Sequence, residues 1–175
     1  MKKYLIITCL FFLGFINMSR AQVSSELRIE IRGAITGVYT FTNIEKGQID
    51  NEDKGISKEQ TLGFFSVPPT ALPGNLEVAA VIANLELGKL LEVGSYKMVI
   101  VKDENPIFNS REKLGFMTVV RTERGTPIEE YYTETGTITL SQLDEISARG
   151  SFEATLKMAK GTKEITVSGS FVVRL

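Results

Sequence analysis

From Ile146 onward the chain alternates between apolar and polar residues for thirteen positions. Ile146, Ala148, Gly150, Phe152, Ala154, Leu156 and Met158 share one parity, and Ser147, Arg149, Ser151, Glu153, Thr155 and Lys157 share the other. Side chains alternate across a strand with period two, whereas a helix would scatter both sets around its axis. The pattern therefore demands a strand with one buried face. The end of the chain repeats it, with Ile165, Val167, Gly169, Phe171, Val173 and Leu175 set against Thr166, Ser168, Ser170 and Arg174; only Val172 interrupts the polar set. The intervening Ala159–Glu164 is a short loop containing a glycine, which predicts a hairpin.

Shorter runs extend the reading. Leu27, Ile29 and Ile31 alternate with Arg28, Glu30 and Arg32. Residues 76–85, 96–101 and 114–120 are apolar on both parities, as expected of strands covered on two faces. Residues 38–42 and 131–140 add two more, the latter rich in Thr and Tyr, which suit a pleated surface. The Pro-rich stretch 67–74 cannot be a central strand or a helix interior. Residues 103–106 and 124–127 read as turns, and 47–58 as a polar loop. A single helical turn is expected around Leu87, Leu90 and Leu91. Many short strands separated by turns predict one all-β domain over residues 22–175, an antiparallel β-sandwich with a β-barrel as the alternative.

The N-terminus has the form of an export signal. Lys2 and Lys3 precede an uncharged apolar run, Tyr4 to Ile16, and Ser19-Arg20-Ala21 offers small residues at the two positions a signal peptidase reads. The run is shorter than the roughly 20 residues needed to span a bilayer. Cys9 lies inside it rather than after it, so it reads as part of the apolar region and not as a lipid attachment site. Residues 1–21 are thus expected to be a cleaved signal peptide. The mature chain of 154 residues then holds no cysteine, and 17 basic residues face 21 acidic ones, a net charge of −4. Such a chain forms no disulfide and must rely on its core. Its length suffices for one independent domain. Its mild acidity gives it no affinity for nucleic acid, and the mature part has no transmembrane segment. Periplasmic location is expected, with the cell surface or the exterior as alternatives.

Four motifs occur in fixed order: Gly94-Ser95-Tyr96, Gly136-Thr137-Ile138-Thr139-Leu140, Ala148-Arg149-Gly150-Ser151-Phe152 and Val167-Ser168-Gly169-Ser170-Phe171. Over roughly residues 75–175 the chain resembles a group of small exported β-sandwich proteins of unknown function from Gram-negative bacteria. In that group an Asp-containing turn follows the second motif, and Asp144 would take that place. Arg149 departs from the pattern by standing where a small residue is usual. The resemblance implies a fold and an exported location and brings no activity or site. On physical grounds the motif glycines sit on the inward parity beside Phe152 and Phe171, where a missing side chain leaves room for a ring.

The residue types limit the chemistry. The chain has no His, which removes Ser-His and Cys-His nucleophile pairs and His-ligated zinc. Without a mature Cys there is no thiolate zinc or iron–sulfur site. Neither G-x-S-x-G nor a phosphate-cradling Gly-rich loop occurs. In the acidic loop Asp50-Asn51-Glu52-Asp53-Lys54-Gly55, Lys54 fills the fifth position of a calcium loop and Thr61 stands where its bidentate Glu belongs, so a solvated loop is expected. Glu129, Glu130 and Glu134 lie beside Tyr131 and Tyr132. Two carboxylates about 5–10 Å apart could cleave a glycoside, but charged outward positions are ordinary on a half-exposed strand. The doublets Phe64-Phe65 and Tyr131-Tyr132 are more informative. Neighbours on a strand point to opposite faces. If one face is solvent, one ring of each pair is exposed or covered by a loop, and an exposed aromatic patch marks a binding surface; core or loop packing is the favoured reading, because both faces can be covered.

The sequence thus predicts an exported, non-enzymatic domain that binds a protein, glycan or small apolar ligand, or serves an envelope-structural role. It names no catalytic, cofactor-binding or metal-ligating residue and implies no cofactor. A carboxylate-based hydrolase and a lipocalin-like small-ligand carrier are the alternatives. Mass spectrometry of the exported protein is expected to find Gln22, free or cyclised, at the N-terminus. An intact Met1, or a lipid on Cys9, refutes the export reading.

Overall fold

The computed structural model describes residues 23–47, 56–66, 75–86, 88–100 and 112–175. The expected signal peptide 1–21, the acidic loop 50–55, the Pro-rich stretch, Leu87 and the expected turn at 103–106 lie outside the described residues. Ten strands follow one another: β1 (Glu26–Gly33), β2 (Gly37–Phe41), β3 (Ile44–Gly47), β4 (Thr61–Ser66), β5 (Asn75–Asn84), β6 (Gly94–Met98), β7 (Lys113–Glu123), β8 (Thr126–Leu143), β9 (Ser147–Met158) and β10 (Glu164–Arg174). The fold is all-β. A 3-10 turn, Lys58–Gln60, leads into β4.

The strands form one sheet in the order β2-β1-β10-β9-β8-β6-β7-β5-β4-β3. Neighbours are antiparallel except β6 and β7, which run parallel over a short stretch. The two ends of this order, β2 and β3, are consecutive in the chain and joined by Thr42 and Asn43. The sheet is thereby nearly closed into a barrel. Across the interior, Phe64 of β4 stacks on Phe171 of β10, with ring centroids 4.6 Å apart and planes inclined by 28°.

The alternation read from the sequence is the alternation of burial. Ala148, Phe152, Ala154 and Leu156 of β9 and Ile165, Val167, Phe171 and Val173 of β10 are buried, while Ser151, Glu153, Ser168 and Ser170 are exposed. The ladder pairs Phe171 with Gly150 and Phe152 with Gly169. A Cβ on Gly150 would come within 2.5 Å of the Phe171 ring, and one on Gly169 within 2.6 Å of the Phe152 ring. Each ring thus lies over the glycine of the neighbouring strand.

In three places the structure departs from the sequence reading. Ile146 belongs to the apolar parity but is 47% exposed. Asp144 Oδ1 accepts hydrogen bonds from the backbone N–H groups of Ile146 (2.8 Å) and Ser147 (2.9 Å), and this turn delays β9 until Ser147. At the expected helical turn a single turn bond runs from Lys89 N to Glu86 O (3.1 Å), but Leu90 and Leu91 lie beyond it in chain without regular secondary structure. The buried Asn84 amide donates to Leu90 O (2.8 Å), and Tyr96 Oη donates to Glu92 O (2.6 Å), so side chains hold carbonyls that a helix would use itself. Finally, β8 runs well beyond residues 131–140 and contains two irregularities, between Thr133 and Thr135 and between Leu140 and Gln142. Each inserts a residue, so the inward set passes from Tyr131 and Thr133 to Ile138 and Leu140.

The first irregularity lies near a fork in the sheet. β6 separates β7 from β8 at one end, whereas β7 and β8 pair directly from Thr118 and Tyr132 onward. At the fork Met117 is served by a side chain. Thr133 Oγ1 accepts from Met117 N (2.8 Å) and donates to Met117 O (2.9 Å), satisfying two buried backbone groups.

Truncating Phe152 or Phe171 to Ala is expected to cost about 3–5 kcal/mol in urea melts, through lost transfer free energy plus a cavity. Ser151→Ala and Ser170→Ala are expected to stay within about ±0.5 kcal/mol. Serine variants as damaging as the phenylalanine variants would mean that the polar face of β9 and β10 is covered.

Candidate functional site on the outer face

Both aromatic doublets split between the two faces of the sheet. Phe64 and Tyr131 point inward and are buried. Phe65, which is 39% exposed, and the half-buried Tyr132 point outward. The ladder brings the two outward rings into a single row, since Phe65 pairs with Ala79, Ala79 with Thr118 and Thr118 with Tyr132. Three strand spacings of about 4.8 Å separate the ends of this row. Ala79 and Thr118 form a floor of small side chains between the rings. In the next row toward Ile56, Val81 pairs with Phe116, both half-buried, so this part of the outer face is apolar, whereas the row on the other side holds Glu77, Val120 and Glu130. The apolar part continues into a second buried cluster of Ile56, Ala83, Leu85 and Leu114, against which Val99 and Phe116 pack.

Apolarity on both parities of residues 76–85 and 114–120 hence has its physical reason here: the inward set fills the interior of the nearly closed sheet and the outward set forms this second surface. The sequence reading missed β3 and β4 as strands. It also could not place Phe65 and Tyr132 on one row, because that requires the register of four strands.

The three glutamates beside the tyrosines do not converge. Glu130 and Glu134 share the outer face with Tyr132. Tyr132 Oη donates to Glu130 Oε2 (3.0 Å), and Glu134 is ion-paired with Lys157. Burial, then the Glu130 carboxylate, raises the Tyr132 pKa. Glu129 belongs to the inward parity at the end of the barrel, where it pairs with Lys163 and, at 3.3 Å, with Arg121. Each of the three is thus engaged by a neighbouring side chain.

A groove of about 320 Å³ opens beside the aromatic row, lined by Thr135, Gly136, Thr137, Glu153, Ala154, Thr155 and Thr166. It lies where β8 is irregular and carries four threonine hydroxyls and one carboxylate. A bulge bends its strand locally, which accounts for a concavity at this place. No feature of the sequence other than the threonine run marked it. Among the described residues there is no group of three or more Asp, Glu, His or Cys placed to hold a metal ion.

The Lys163 hydrogen bond is the largest influence on Glu129. It holds the carboxyl below its ordinary 4.5; burial opposes the shift and Arg121 adds to it. A depressed folded-state pKa contributes stability above the unfolded value, and this contribution is lost as pH falls through the folded value. Glu129→Gln is therefore expected to lower the melting temperature at pH 7. Its difference from the parent should vanish on acidification below the ordinary glutamate range. A difference independent of pH would show that the carboxylate charge is not what matters there.

Comparison of the chain with protein-family models, with curated proteins and with solved structures finds no match.

Proposed function

We propose that this chain is an exported, non-enzymatic binding domain whose partner lies across the outer face of β4, β5, β7 and β8. The observation that carries this reading is the row from Phe65 to Tyr132. Two outward aromatic side chains stand at its ends, with small residues between them, apolar Val81 and Phe116 in the row on one side and Glu77, Val120 and Glu130 in the row on the other. Burying an exposed ring of this size against a partner is worth a few kcal/mol, at about 25 cal/mol per Å². The hydroxyl-lined groove beside Tyr132 supplies donors and acceptors that would orient a bound chain. Export is supported by the n-region, the apolar run and the Ser19-Arg20-Ala21 site. The filled interior supports a sandwich-like packing of the nearly closed sheet: Phe64, Phe171, Tyr96 and Tyr131 all occupy it.

A thermal-shift screen of the mature chain against soluble oligosaccharides, short peptides and lipid micelles tests the proposal, since a ligand of the native state raises its melting temperature by mass action. The double variant Phe65→Ser/Tyr132→Ser is expected to fold and to lose the response to any hit. A hit whose shift survives the double substitution would move the binding surface elsewhere.

A further inference from the structure

The groove on the outer face of β8, β9 and β10 gathers polar groups that nothing around them engages. Thr135 pairs with Thr155 and Thr155 with Thr166, so three hydroxyls stand in one row across three strands. In the next row Thr137 pairs with Glu153. Among the described residues none of the four threonine hydroxyls makes a hydrogen bond, and Glu153 has no ion pair. Nearby on β8 the polar side chains are taken: Tyr132 by Glu130, Glu134 by Lys157 and Thr133 by the Met117 backbone.

At about 320 Å³ the groove has the volume of a small-ligand site, but its lining is rich in hydroxyls. A hydroxyl both donates and accepts, which matches a ligand whose own groups do both. Other ligand classes fit less well. A peptide engages a sheet through backbone hydrogen bonds at an edge, whereas β9 and β10 are paired on both sides along the groove. A lipid chain needs apolar surface, which the groove lacks. An anion would meet the Glu153 carboxylate. Of the cations on flanking positions, Lys157 is held by Glu134 and Arg32 by Glu30, and Lys97, opposite Thr137 on β6, balances Glu153 without exceeding it. The site therefore suits an uncharged ligand.

Tyr132 supplies an apolar contact at the mouth of the groove. Its hydroxyl is occupied by Glu130, so the ring rather than its polar tip is left to a ligand. Phe65 is out of reach from here. Phe64 of β4 meets Phe171 of β10 across the interior, which puts β4 and β10 on opposite walls. We infer that the groove and Tyr132 bind a short neutral oligosaccharide. One sugar ring packs on Tyr132, and the next places its hydroxyls on Thr135, Thr155, Thr166 and the Glu153 carboxylate. A sugar ring has a C–H face and a rim of hydroxyls, and an aromatic ring beside a hydroxyl-lined groove complements both. The inference names a partner class for the outer face and rests on the binding reading above through Tyr132, without requiring the apolar row.

Titration calorimetry of the mature chain with cellotetraose, maltotetraose and chitotetraose, and with tetragalacturonate as an acidic counterpart, tests it. At least one neutral tetrasaccharide should bind, and tetragalacturonate should bind about tenfold more weakly or not at all. The double variant Thr135→Val/Thr166→Val changes two exposed positions, keeps the side-chain shape and suits a strand. It should fold as the parent does and weaken binding about tenfold or more. Tyr132→Ser should weaken it by a similar factor. Glu153→Gln should narrow the preference over tetragalacturonate. The inference is overturned if no neutral tetrasaccharide binds, if tetragalacturonate binds best, or if binding survives Thr135→Val/Thr166→Val. A peptide or micelle that binds through Phe65 and Tyr132 while no sugar does would overturn this inference and leave the broader reading standing. No response to any sugar, peptide or micelle removes both.

Discussion

The stack of Phe64 on Phe171 joins strands that lie far apart in the sheet order and so fixes how the sheet curls. Ten strands laid flat would leave two faces to cover with no second layer to cover them. Curling the sheet so that β4 meets β10 gives one face an interior of its own. Burial rather than ring geometry dominates the energy. Each ring contributes about 1.5–3 kcal/mol by leaving water, whereas the preferred arrangement of an aromatic pair adds about 0.5–1.5 kcal/mol. The stack also needs space. Phe171 lies over Gly150 and Phe152 over Gly169, so the two glycines determine how far the rings can settle into the sheet. The join between β2 and β3 then follows, because curling brings the two edges together and a two-residue link suffices to connect them.

Where pairing is local, the sequence carried nearly everything. β9 and β10 are neighbours in the chain, form a hairpin and hide one face, so parity alone located Phe152, Phe171 and the exposed serines. Parity failed where a side chain overruled it. Asp144 captures two backbone N–H groups and leaves Ile146 outside the strand. Asn84 and Tyr96 hold the carbonyls of Leu90 and Glu92, so the turn closed by Lys89 does not extend to Leu90 and Leu91. β3 and β4 were missed because each is short and flanked by loop-forming residues. Only the pairing of β4 with β5 and of β3 with β4 makes them strands, and pairing is not a property of a window of sequence.

The candidate site divides along the same line. Period two put the two rings of each doublet on opposite faces but favoured a covered second face, whereas Phe65 is 39% exposed and Tyr132 half-buried there. Their shared row depends on the registers of β4 with β5, β5 with β7 and β7 with β8, each a long-range choice made by the packing of the inner faces. The groove depends on an irregularity in β8 that its alternation does not announce, since Thr, Gly and Thr suit either side of a strand. The cluster at the end of the barrel was half visible. Glu129 stood out as a charge beside tyrosines, but Arg121 and Lys163 are brought to it only by the ladder and by the β9–β10 hairpin.

β8 is the element that separates the core from the features of the outer face. Its inward side chains, Tyr131, Thr133, Ile138 and Leu140, are buried and complete the core, and Thr133 replaces backbone partners at the fork. Its outward side chains form the boundary between the apolar row ending at Tyr132 and the threonine-lined groove beginning at Thr135. The extra residue between Thr133 and Thr135 allows both assignments. An unbroken alternation from Tyr131 would put Thr135 and Thr137 inside and turn Gly136 and Ile138 outward. The irregularity resets the parity, which keeps Ile138 in the core and places the threonine hydroxyls in the groove. The polar surface beside the aromatic row therefore exists because the strand breaks its own period at that point.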